Sequence, residues 1–291
     1  MQTSLEPLEK LYLPSRWSQR YPPDTIVEKH VEFAQTESDK TRQTIPSMLN
    51  LSYGPLEKEK IDIFGTDLDN DAPIFVFVHG GYWQEESLKR DTYHFLATPL
   101  YKNGIKSIFV GYELCPKVSL PEIVKEIEVA TKKCVEYAKE NKSKGVHLVG
   151  YSAGSHLVAA LYTNIAKNLS NEERNFIKTV ILIAGVYNLE LIPETSINGV
   201  LNLSKTDAVA LSPLKQSLVG EISSTMCVVS AENDSPEFRK QSKEFHDKLE
   251  HAGVDSSAIV VPKVDHFDIV ELLYSENFQL TKSILDLIKN K

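Results

Sequence analysis

The sequence contains no long apolar run, few cysteines and no excess of basic residues. No window of its 291 residues approaches the roughly 20 consecutive apolar residues of a membrane-spanning helix, so no membrane partner is expected. Lysine and arginine together number 32 against 40 for aspartate and glutamate, which leaves a formal net charge of −8. Because phosphate backbones and anionic lipids attract proteins of positive charge, binding to nucleic acid or to a membrane surface is disfavoured.

The three cysteines, Cys115, Cys134 and Cys227, are an odd number without a Cys-x-x-Cys pair, so the sequence predicts neither a disulfide framework nor a metal site. Cys134 and Cys227 lie in apolar segments and are predicted to be small core residues. Residues 1–10 lack the pattern of a secretory signal, and residues 289–291 are not a peroxisomal address. The protein is therefore predicted to be cytoplasmic.

The chain shows no internal repeat, low-complexity tract or glycine-serine linker, which favours a single domain over residues 1–291. From about residue 48 onward, short apolar runs alternate with helical patterns. The runs are continuous in their apolar character, which is typical of strands in a sheet covered on both faces. The predicted strands span residues 61–64, 74–78, 105–110, 146–149, 180–184, 226–229 and 258–261.

The segments between these runs carry helical signals. Ser119 and Glu122 form the Ser-x-x-Glu pattern of a capping box, and apolar residues then recur at helical spacing as far as residue 138. Similar patterns predict helices over 155–168, 236–252 and 279–289. Strands that alternate with such helices predict an α/β fold with a mostly parallel central sheet, helices on both faces, and an active site where the strands end.

Two stretches do not fit this alternation. Residues 1–47 are polar with scattered aromatic residues, and residues 188–222 are loop-like with only weak helical signals. We interpret both as additions to the sheet, an N-terminal extension and an insertion that together form a small cap. Long segments of this kind in a compact domain usually serve as lids or binding loops, or are disordered.

The sharpest local motif is the pentapeptide Gly150-Tyr151-Ser152-Ala153-Gly154. Gly-x-Ser-x-Gly is weak evidence alone, but here a predicted strand precedes it and a predicted helix follows. A sharp turn from strand to helix exposes the serine hydroxyl, and the glycines allow neighbouring chain to approach closely. Ser152 is therefore the predicted nucleophile; the alternative is an ordinary strand-to-helix turn.

A nucleophilic serine needs a base, and the base needs an orienting carboxylate. His266 follows the last predicted strand, in a loop at its carboxyl end, and is the predicted base; a plain surface histidine is the alternative. Four other histidines lie within the predicted strands or helices and are set aside: His147, His156, His246 and His251.

The predicted acid is Asp234, which follows the strand at 226–229 and precedes a helix. It gives the chain order serine, acid, histidine that is usual in hydrolases of this architecture. Glu232 lies nearby, whereas Asp265 and Asp268 are too close to His266 in sequence to reach its Nδ1 atom easily. Asp234 could equally cap the helix, and the two roles are compatible.

An oxyanion needs fixed hydrogen-bond donors, which are expected from the residue after the nucleophile and from the loop after an earlier strand. The first donor is the backbone N–H of Ala153. The loop is His79-Gly80-Gly81-Tyr82-Trp83, in which the N–H groups of Gly81 and Tyr82 are the predicted donors. A Gly-Gly turn packed under an aromatic ring is the alternative for this loop.

Four segments together resemble the kynurenine formamidase (arylformamidase) family, whose members have the α/β-hydrolase fold. They are the run at 79–83, the elbow at 150–154, Ala-Glu-Asn-Asp-Ser-Pro-Glu-Phe at 231–238 and Asp-His-Phe-Asp at 265–268. The segment Tyr-Leu-Pro-Ser-Arg-Trp at 12–17 also looks like that family's entry segment, so the resemblance spans nearly the whole chain. Related esterases usually carry a third glycine where this chain has Tyr82.

The resemblance implies hydrolysis of N-formyl-L-kynurenine to L-kynurenine and formate in tryptophan catabolism, without a metal or organic cofactor. Tyr82 and Trp83 are expected to line the substrate pocket and to exclude acyl groups larger than formyl, although Trp83 could equally be a core residue. The amino-acid part of the substrate has no assigned partner, since Arg16 and Arg20 could be structural or merely solvated.

Two other functions remain open at this stage. A carboxylesterase of broad specificity would carry the same three residues with a different acyl preference. A non-catalytic protein of the same fold that binds a small ligand belongs to another class, and such proteins usually lack one of the three residues. Oligomeric state also remains open between a monomer and a homodimer.

Overall fold

The computed structural model of the protein describes residues 6–291, in which a sheet of eight strands separates two apolar layers. The strand order is β1-β2-β4-β3-β5-β6-β7-β8; β2 is antiparallel to β1 and β4, and all other neighbours are parallel. The strands are β1 (Ser47–Ser52), β2 (Lys60–Phe64), β3 (Ile74–Val78), β4 (Lys106–Val110), β5 (Val146–Tyr151), β6 (Ile177–Ile183), β7 (Thr225–Ala231) and β8 (Ser256–Val261). The predicted mostly parallel α/β sheet is confirmed.

Helices lie between and around these strands. They are α1 (Glu6–Tyr12), α2 (Ile26–Thr44), α3 (Ala97–Lys102), α4 (Leu120–Glu140), α5 (Ala153–Ala160), α6 (Asn171–Phe176), α7 (Asn198–Leu201), α8 (Lys205–Ala210), α9 (Pro236–His251), α10 (Asp268–Glu271) and α11 (Gln279–Lys289). Ser119 and Glu122 form the predicted capping box at the start of α4. None of the helices within residues 6–291 combines the length and apolar character needed to cross a membrane.

The sheet buries side chains on both faces, as the continuous apolar runs predict. Along β3, Val76 belongs to one apolar cluster and Phe77 to the other, because successive strand residues point to opposite faces. Ile127 of α4 packs into the first cluster and Ile284 of α11 into the second. Cys134 and Cys227 are buried free thiols, as predicted.

Helix α2 was not predicted from the sequence, because its buried face carries almost no apolar signal. The buried residues along it, spaced by four and three positions, are mainly small or polar: Ile26, His30, Ala34, Ser38 and Thr41. Their polar atoms are satisfied by neighbours; the Ser38 hydroxyl, for example, donates a 2.9 Å hydrogen bond to the carbonyl of Thr92. Hydrogen bonds thus hold this helix together with the apolar contacts of Val31, Phe33 and Ala34.

The helix predicted over 155–168 is too long. Helix α5 begins at Ala153 and ends at Ala160, and irregular turns follow. At its end the Thr163 hydroxyl donates a 3.1 Å hydrogen bond to the carbonyl of Ala160, and Thr163 forms an isolated antiparallel bridge with Leu218. Because α5 and the turns after it are almost wholly buried, their apolar composition gives no signal for the helix end.

Candidate active site

Ser152 lies in the sharp turn between β5 and α5. Its backbone has φ 54° and ψ −119°, a conformation that non-glycine residues rarely adopt. The turn requires both flanking glycines. A Cβ at Gly150 would lie 2.6 Å from the backbone of Ser155, and one at Gly154 would lie 2.1 Å from the carbonyl oxygen of Val78. The pentapeptide therefore forms the strained elbow that its sequence predicts, and an ordinary turn is excluded.

The side chains of Ser152, His266 and Asp234 form one hydrogen-bonded chain. His266 Nε2 lies 3.0 Å from Ser152 Oγ, and His266 Nδ1 lies 2.7 Å from Asp234 Oδ2. In the tautomer that fits these partners, Nδ1–H donates to the carboxylate and Nε2 accepts from the hydroxyl. All three residues are buried, with exposures of 5%, 4% and 2% in the order serine, histidine, aspartate.

The alternative acids and histidines are engaged elsewhere. Glu232 accepts a 2.8 Å hydrogen bond from the backbone N–H of Lys263, and Asp265 accepts bonds from the backbone N–H groups of Phe267 and Asp268. The other histidines set aside from the sequence lie in strands or helices; His147 contacts Thr179, His156 contacts the carbonyl of Leu211, and His246 and His251 lie on α9.

The loop that carries His266 is held by residues that sequence reasoning did not identify. Arg20 donates to Asp265 at 3.1 Å and to Glu271 at 2.7 Å, while the Ser18 hydroxyl donates to Asp265 at 2.6 Å. Burial favours the neutral acid, but the hydrogen bonds from Arg20 and Ser18 outweigh it and hold the pKa of Asp265 below its usual range. The N-terminal extension therefore anchors the loop directly beside His266.

Two further groups, the buried Tyr151 and the partly buried Asp268, fix this loop. The Tyr151 hydroxyl, next to Ser152, donates a 2.8 Å hydrogen bond to the carbonyl of His266. Burial, together with repulsion from Asp265, raises the pKa of Asp268 above its usual range. The Asp268 carboxylate also accepts a 2.6 Å bond from the backbone N–H of Asp265, which closes the loop on itself. The contact between Tyr151 and His266 has no signal in the sequence, because it joins segments that are far apart along the chain.

The loop after β3 approaches Ser152 from the other side. Gly81, Tyr82 and Trp83 have φ values of 107°, 48° and 59°, three successive residues with positive φ. A Cβ at Gly80 would lie 2.9 Å from Ser152 Cβ, which shows how closely the loop passes the serine. Within residues 6–291, the backbone N–H groups of Gly81, Tyr82 and Ala153 have no hydrogen-bond acceptor.

His79, the first residue of this loop, is buried and stabilises the loop by stacking and hydrogen bonding. Its ring stacks on Tyr112 with ring centroids 4.2 Å apart, and its Nδ1 lies 2.8 Å from the carbonyl of Gly80. Complete burial lowers the pKa of His79 to about 4, so the ring is neutral at pH 7 and Nδ1–H donates to that carbonyl. Tyr112 also donates to the carbonyl of His79 at 2.9 Å.

Tyr82 and Trp83 have different surroundings. Tyr82 is half-buried, lines the cavity above Ser152, and donates its hydroxyl to the carbonyl of Tyr12. Trp83 is fully buried and packs edge-to-face on His156, with ring centroids 4.9 Å apart. It is not among the residues that line the cavity, so core packing, the alternative left open by the sequence, describes its position.

A cavity of about 410 Å³ opens above Ser152 and His266. One wall comes from the N-terminal extension, through Leu13, Pro14, Ser15 and Val27, and another from Ser196 and Ile197 in the 188–222 insertion. Gly81 and Tyr82, in the loop after β3, form part of the floor; this loop, residues 79–83, is called the oxyanion loop below after its predicted role. The two segments that did not fit the strand and helix alternation thus both border the space in front of Ser152.

The chain is similar to known proteins over most of its length. A family model described as alpha/beta hydrolase fold matches residues 75–268. The chain is 35% identical to the kynurenine formamidase of Danio rerio over 98% of this chain and 97% of the relative, and 32% identical to that of Salmo salar over 97% and 95%. The kynurenine formamidase of Drosophila melanogaster is 31% identical over 76% of this chain and 75% of its own.

Solved structures give the same fold. A putative thioesterase from a Silicibacter species superposes with a TM-score of 0.78 at 26% identity, covering 97% of this chain and 98% of its own. An esterase from Pyrobaculum calidifontis superposes with a TM-score of 0.69 at 19% identity, covering 92% and 93%. These neighbours share the α/β fold of the chain over most of its length.

Proposed function

The chain belongs to the kynurenine formamidase family of α/β-hydrolases, and from this membership we infer that it hydrolyses N-formyl-L-kynurenine to L-kynurenine and formate in tryptophan degradation. One observation of the site supports the hydrolytic step of this function, whereas the family membership supports the formamide substrate. Ser152, His266 and Asp234 are linked by hydrogen bonds of 3.0 and 2.7 Å at the floor of a cavity bordered by unpaired backbone N–H groups.

In the first half of the proposed reaction, Ser152 attacks the formyl carbon. His266 Nε2 takes the hydroxyl proton as the new C–O bond forms, and the negative charge that develops on the formyl oxygen is stabilised by the N–H groups of Gly81, Tyr82 and Ala153. The C–N bond then breaks, and the imidazolium of His266 gives its proton to the departing aryl amine. The product L-kynurenine leaves, and a formyl ester remains on Ser152.

In the second half, water takes the place of the amine. His266 accepts a proton from the water as its oxygen attacks the ester carbon, and the same N–H groups stabilise the second oxyanion. The ester bond breaks, His266 returns the proton to Ser152 Oγ, and formate leaves. Throughout, Asp234 holds the imidazole in one tautomer and stabilises its cationic form. Side chains, backbone N–H groups and water carry every step.

The 1–47 extension and the 188–222 insertion serve as the cap of this site. Both contribute walls of the cavity, and the hydrogen bond from Tyr82 to the carbonyl of Tyr12 ties the extension to the oxyanion loop. The position of Tyr82 supports a preference for the smallest acyl group, since this residue lines the cavity and its own N–H group is one of the proposed oxyanion donors. A cytoplasmic location stays a prediction, and the oligomeric state stays open between a monomer and a homodimer.

The decisive experiment compares the unaltered protein with Ser152→Ala on N-formyl-L-kynurenine. Loss of the nucleophile is expected to lower kcat about 10⁶-fold, and Asp234→Asn about 10⁴-fold, because the imidazole loses its orienting acceptor. Ser155→Ala is a poor control because its hydroxyl is buried and donates to the carbonyls of Gly150 and Ile183. Ser52→Ala, exposed on the edge strand β1, is the better control, and it should retain full activity. Equal rates for the unaltered protein and Ser152→Ala would refute the serine mechanism.

A series of anilides separates the formamidase from an esterase of broad specificity. Formyl, acetyl and butyryl anilides differ only in acyl size, so a site closed by Tyr82 should turn over the formyl compound fastest. Faster turnover of the butyryl anilide would favour the esterase, and binding without turnover of any member would favour the non-catalytic alternative.

A further inference from the structure

The two arginines of the N-terminal extension have different surroundings. Arg20 is held by Asp265 and Glu271, as described above. Arg16, four residues earlier, is exposed, and among the described residues its side chain has neither a hydrogen-bond acceptor nor an acidic group within 4 Å. The structure therefore explains the presence of Arg20 but leaves the guanidinium of Arg16 available to a ligand.

Arg16 ends the short 3₁₀ turn Pro14–Arg16, which borders the cavity above Ser152. A second hollow of about 530 Å³ adjoins that cavity, because Leu13 and Ser15 line both. Arg16, Pro23 and Asp24 complete the lining of the second hollow. A molecule that extends outward from Ser152 past Ser15 therefore comes next to Arg16 and Asp24.

Arg16 and Asp24 face one hollow but do not form an ion pair with each other within 4 Å. In the described chain no lysine or arginine lines the Ser152 cavity itself, and its one carboxylate is Glu85. Arg16 is thus the cationic side chain at the outer end of this connected space. An unpaired cation and an unpaired anion across a hollow complement a ligand that carries both charges.

The proposed substrate has such a group, since its α-carbon bears an ammonium and a carboxylate several bonds away from the formyl carbon. We propose that the hollow between Arg16 and Asp24 binds the α-amino-acid group of the substrate, with Arg16 donating to the carboxylate and Asp24 accepting from the ammonium. This inference rests on the proposed function and extends it by assigning residues to the part of the substrate that is remote from the reacting bond.

Such contacts act equally on the ground state and the transition state, so their loss raises KM and leaves kcat nearly unchanged. Arg16→Gln and Asp24→Asn should each raise KM for N-formyl-L-kynurenine about tenfold. Arg16→Lys keeps the charge but not the two-pronged geometry and should recover part of the loss. Lys29→Gln removes an exposed charge that pairs with Glu32 on α2 and should change nothing.

Two truncated substrates assign each charge. The compound 2-formamidoacetophenone keeps the ring, the ketone and the formamide but carries no amino-acid group, so its KM should respond to neither substitution. The compound 4-(2-formamidophenyl)-4-oxobutanoate keeps the carboxylate and lacks the ammonium, so Arg16→Gln should raise its KM while Asp24→Asn should not. A purely structural role for either residue would affect all three substrates alike, as we expect for Arg20→Gln.

The outcomes separate the two proposals. If the unaltered protein hydrolyses N-formyl-L-kynurenine but neither substitution raises its KM, or if both alter all three substrates equally, the subsite is overturned and the formamidase function stands. If the unaltered protein hydrolyses none of the three formamides, the proposed function fails and the subsite fails with it. A Tm measurement on each variant identifies any loss of stability, since Asp24 also lies just before α2.

Discussion

At Ser152 and at Tyr82 the backbone adopts conformations that cost roughly 1–3 kcal/mol each for residues with a side chain. Both positions lie beside the proposed reacting atoms, and each is held by a hydrogen bond; the Tyr82 hydroxyl donates to the carbonyl of Tyr12. At Ser152 the backbone N–H donates 2.8 Å to the carbonyl of Ile183, and the glycines on either side let the chain pass without a clash. Positive φ also occurs at Trp83, next to Tyr82, so the strained backbone extends beyond the two residues proposed to present a hydroxyl and an N–H group.

The close approach at Gly154 leads to a prediction on stability. Gly154→Ala would place Cβ 2.1 Å from the carbonyl oxygen of Val78, so the strand and the helix must separate. We expect a loss of at least about 3 kcal/mol in the free energy of unfolding, measured by urea denaturation, or failure to fold. Gly199→Ala is the matched control, because nothing lies within 4 Å of a Cβ there and it should be neutral or slightly stabilising. Similar values for the two variants would contradict the packing argument.

Glu126 on α4 leads to a prediction on pH dependence. Burial, together with nearby carboxylates, raises the pKa of Glu126 to about 7, although it accepts a 2.8 Å hydrogen bond from the backbone of Glu113. Between about pH 4.5 and pH 7, Glu126 is therefore protonated in the folded protein and ionised in the unfolded chain. Because the folded state binds more protons in this range, the free energy of unfolding falls as the pH rises through it.

Glu126→Gln removes that titration and keeps an oxygen to accept the same bond. It should stabilise the protein by about 1–3 kcal/mol at pH 8 and have little effect at pH 4.5. Urea denaturation at the two pH values measures the difference. Glu136→Gln, on the exposed side of the same helix, should show no such pH dependence. An equal effect of Glu126→Gln at both pH values would show that the carboxyl is not protonated in the folded state.

At the scale of elements, ion pairs join the N-terminal extension to the loop that carries His266. Arg20 joins them by pairing with Asp265 and Glu271, and Glu271 in turn lies 2.8 Å from Nδ1 of the buried His30 on α2. Residues that are more than 200 positions apart in sequence are thereby bonded within two residues of the proposed base. This connection holds the loop that carries His266, whereas Asp234 contacts the imidazole directly.

Arg20→Gln should therefore reduce both stability and turnover. Removing the guanidinium leaves the largely buried carboxylates of Asp265 and Glu271 without their partner. We expect the free energy of unfolding to fall by about 2 kcal/mol. This is less than for a fully buried pair, because Arg20 is partly exposed. The kcat should fall about tenfold on every formamide, because the His266 loop is less well held. Lys40→Gln breaks an exposed pair with Glu37 and is the control. It should lower the free energy of unfolding by less than about 0.5 kcal/mol and leave kcat unchanged. Unchanged kcat in Arg20→Gln would show that the loop does not need this anchor.

At the scale of the whole molecule, the sheet divides the apolar interior into two layers that share the same strands. Neighbouring residues of β3 contribute to opposite layers, so neither layer is complete without the sheet. This arrangement favours cooperative unfolding of the entire chain, as expected for a single domain over residues 1–291.

Truncations in the two layers test this cooperativity. Ile127→Ala in the first layer and Ile284→Ala in the second should each cost about 2–5 kcal/mol, and the double variant should be additive to within about 0.5 kcal/mol, since the sites lie on opposite faces of the sheet. Each should lower the midpoint of one shared thermal transition, as measured by calorimetry. Two transitions that respond to different substitutions would indicate separate folding units.

The fold class and the central chemistry could be predicted because they depend on local patterns. Continuous apolar runs mark strands covered on both faces, and Gly150 and Gly154 mark a turn too tight for other residues. The order of Ser152, Asp234 and His266 at strand ends also follows from such patterns. The family and its α/β-hydrolase fold, which the four short motifs resemble, are confirmed by the relatives and by the sheet.

Contacts between distant segments could not be predicted, because pairing and burial are set by which surfaces meet. Helix α2 buries polar residues that satisfy one another only after packing, and α5 ends inside the core without any change of composition. Trp83 is adjacent in sequence to Tyr82, but its side chain is buried in the core and does not line the cavity. Arg16 and Arg20 are chemically identical residues of one segment, and only the folded chain brings carboxylates to Arg20 and leaves Arg16 facing a hollow.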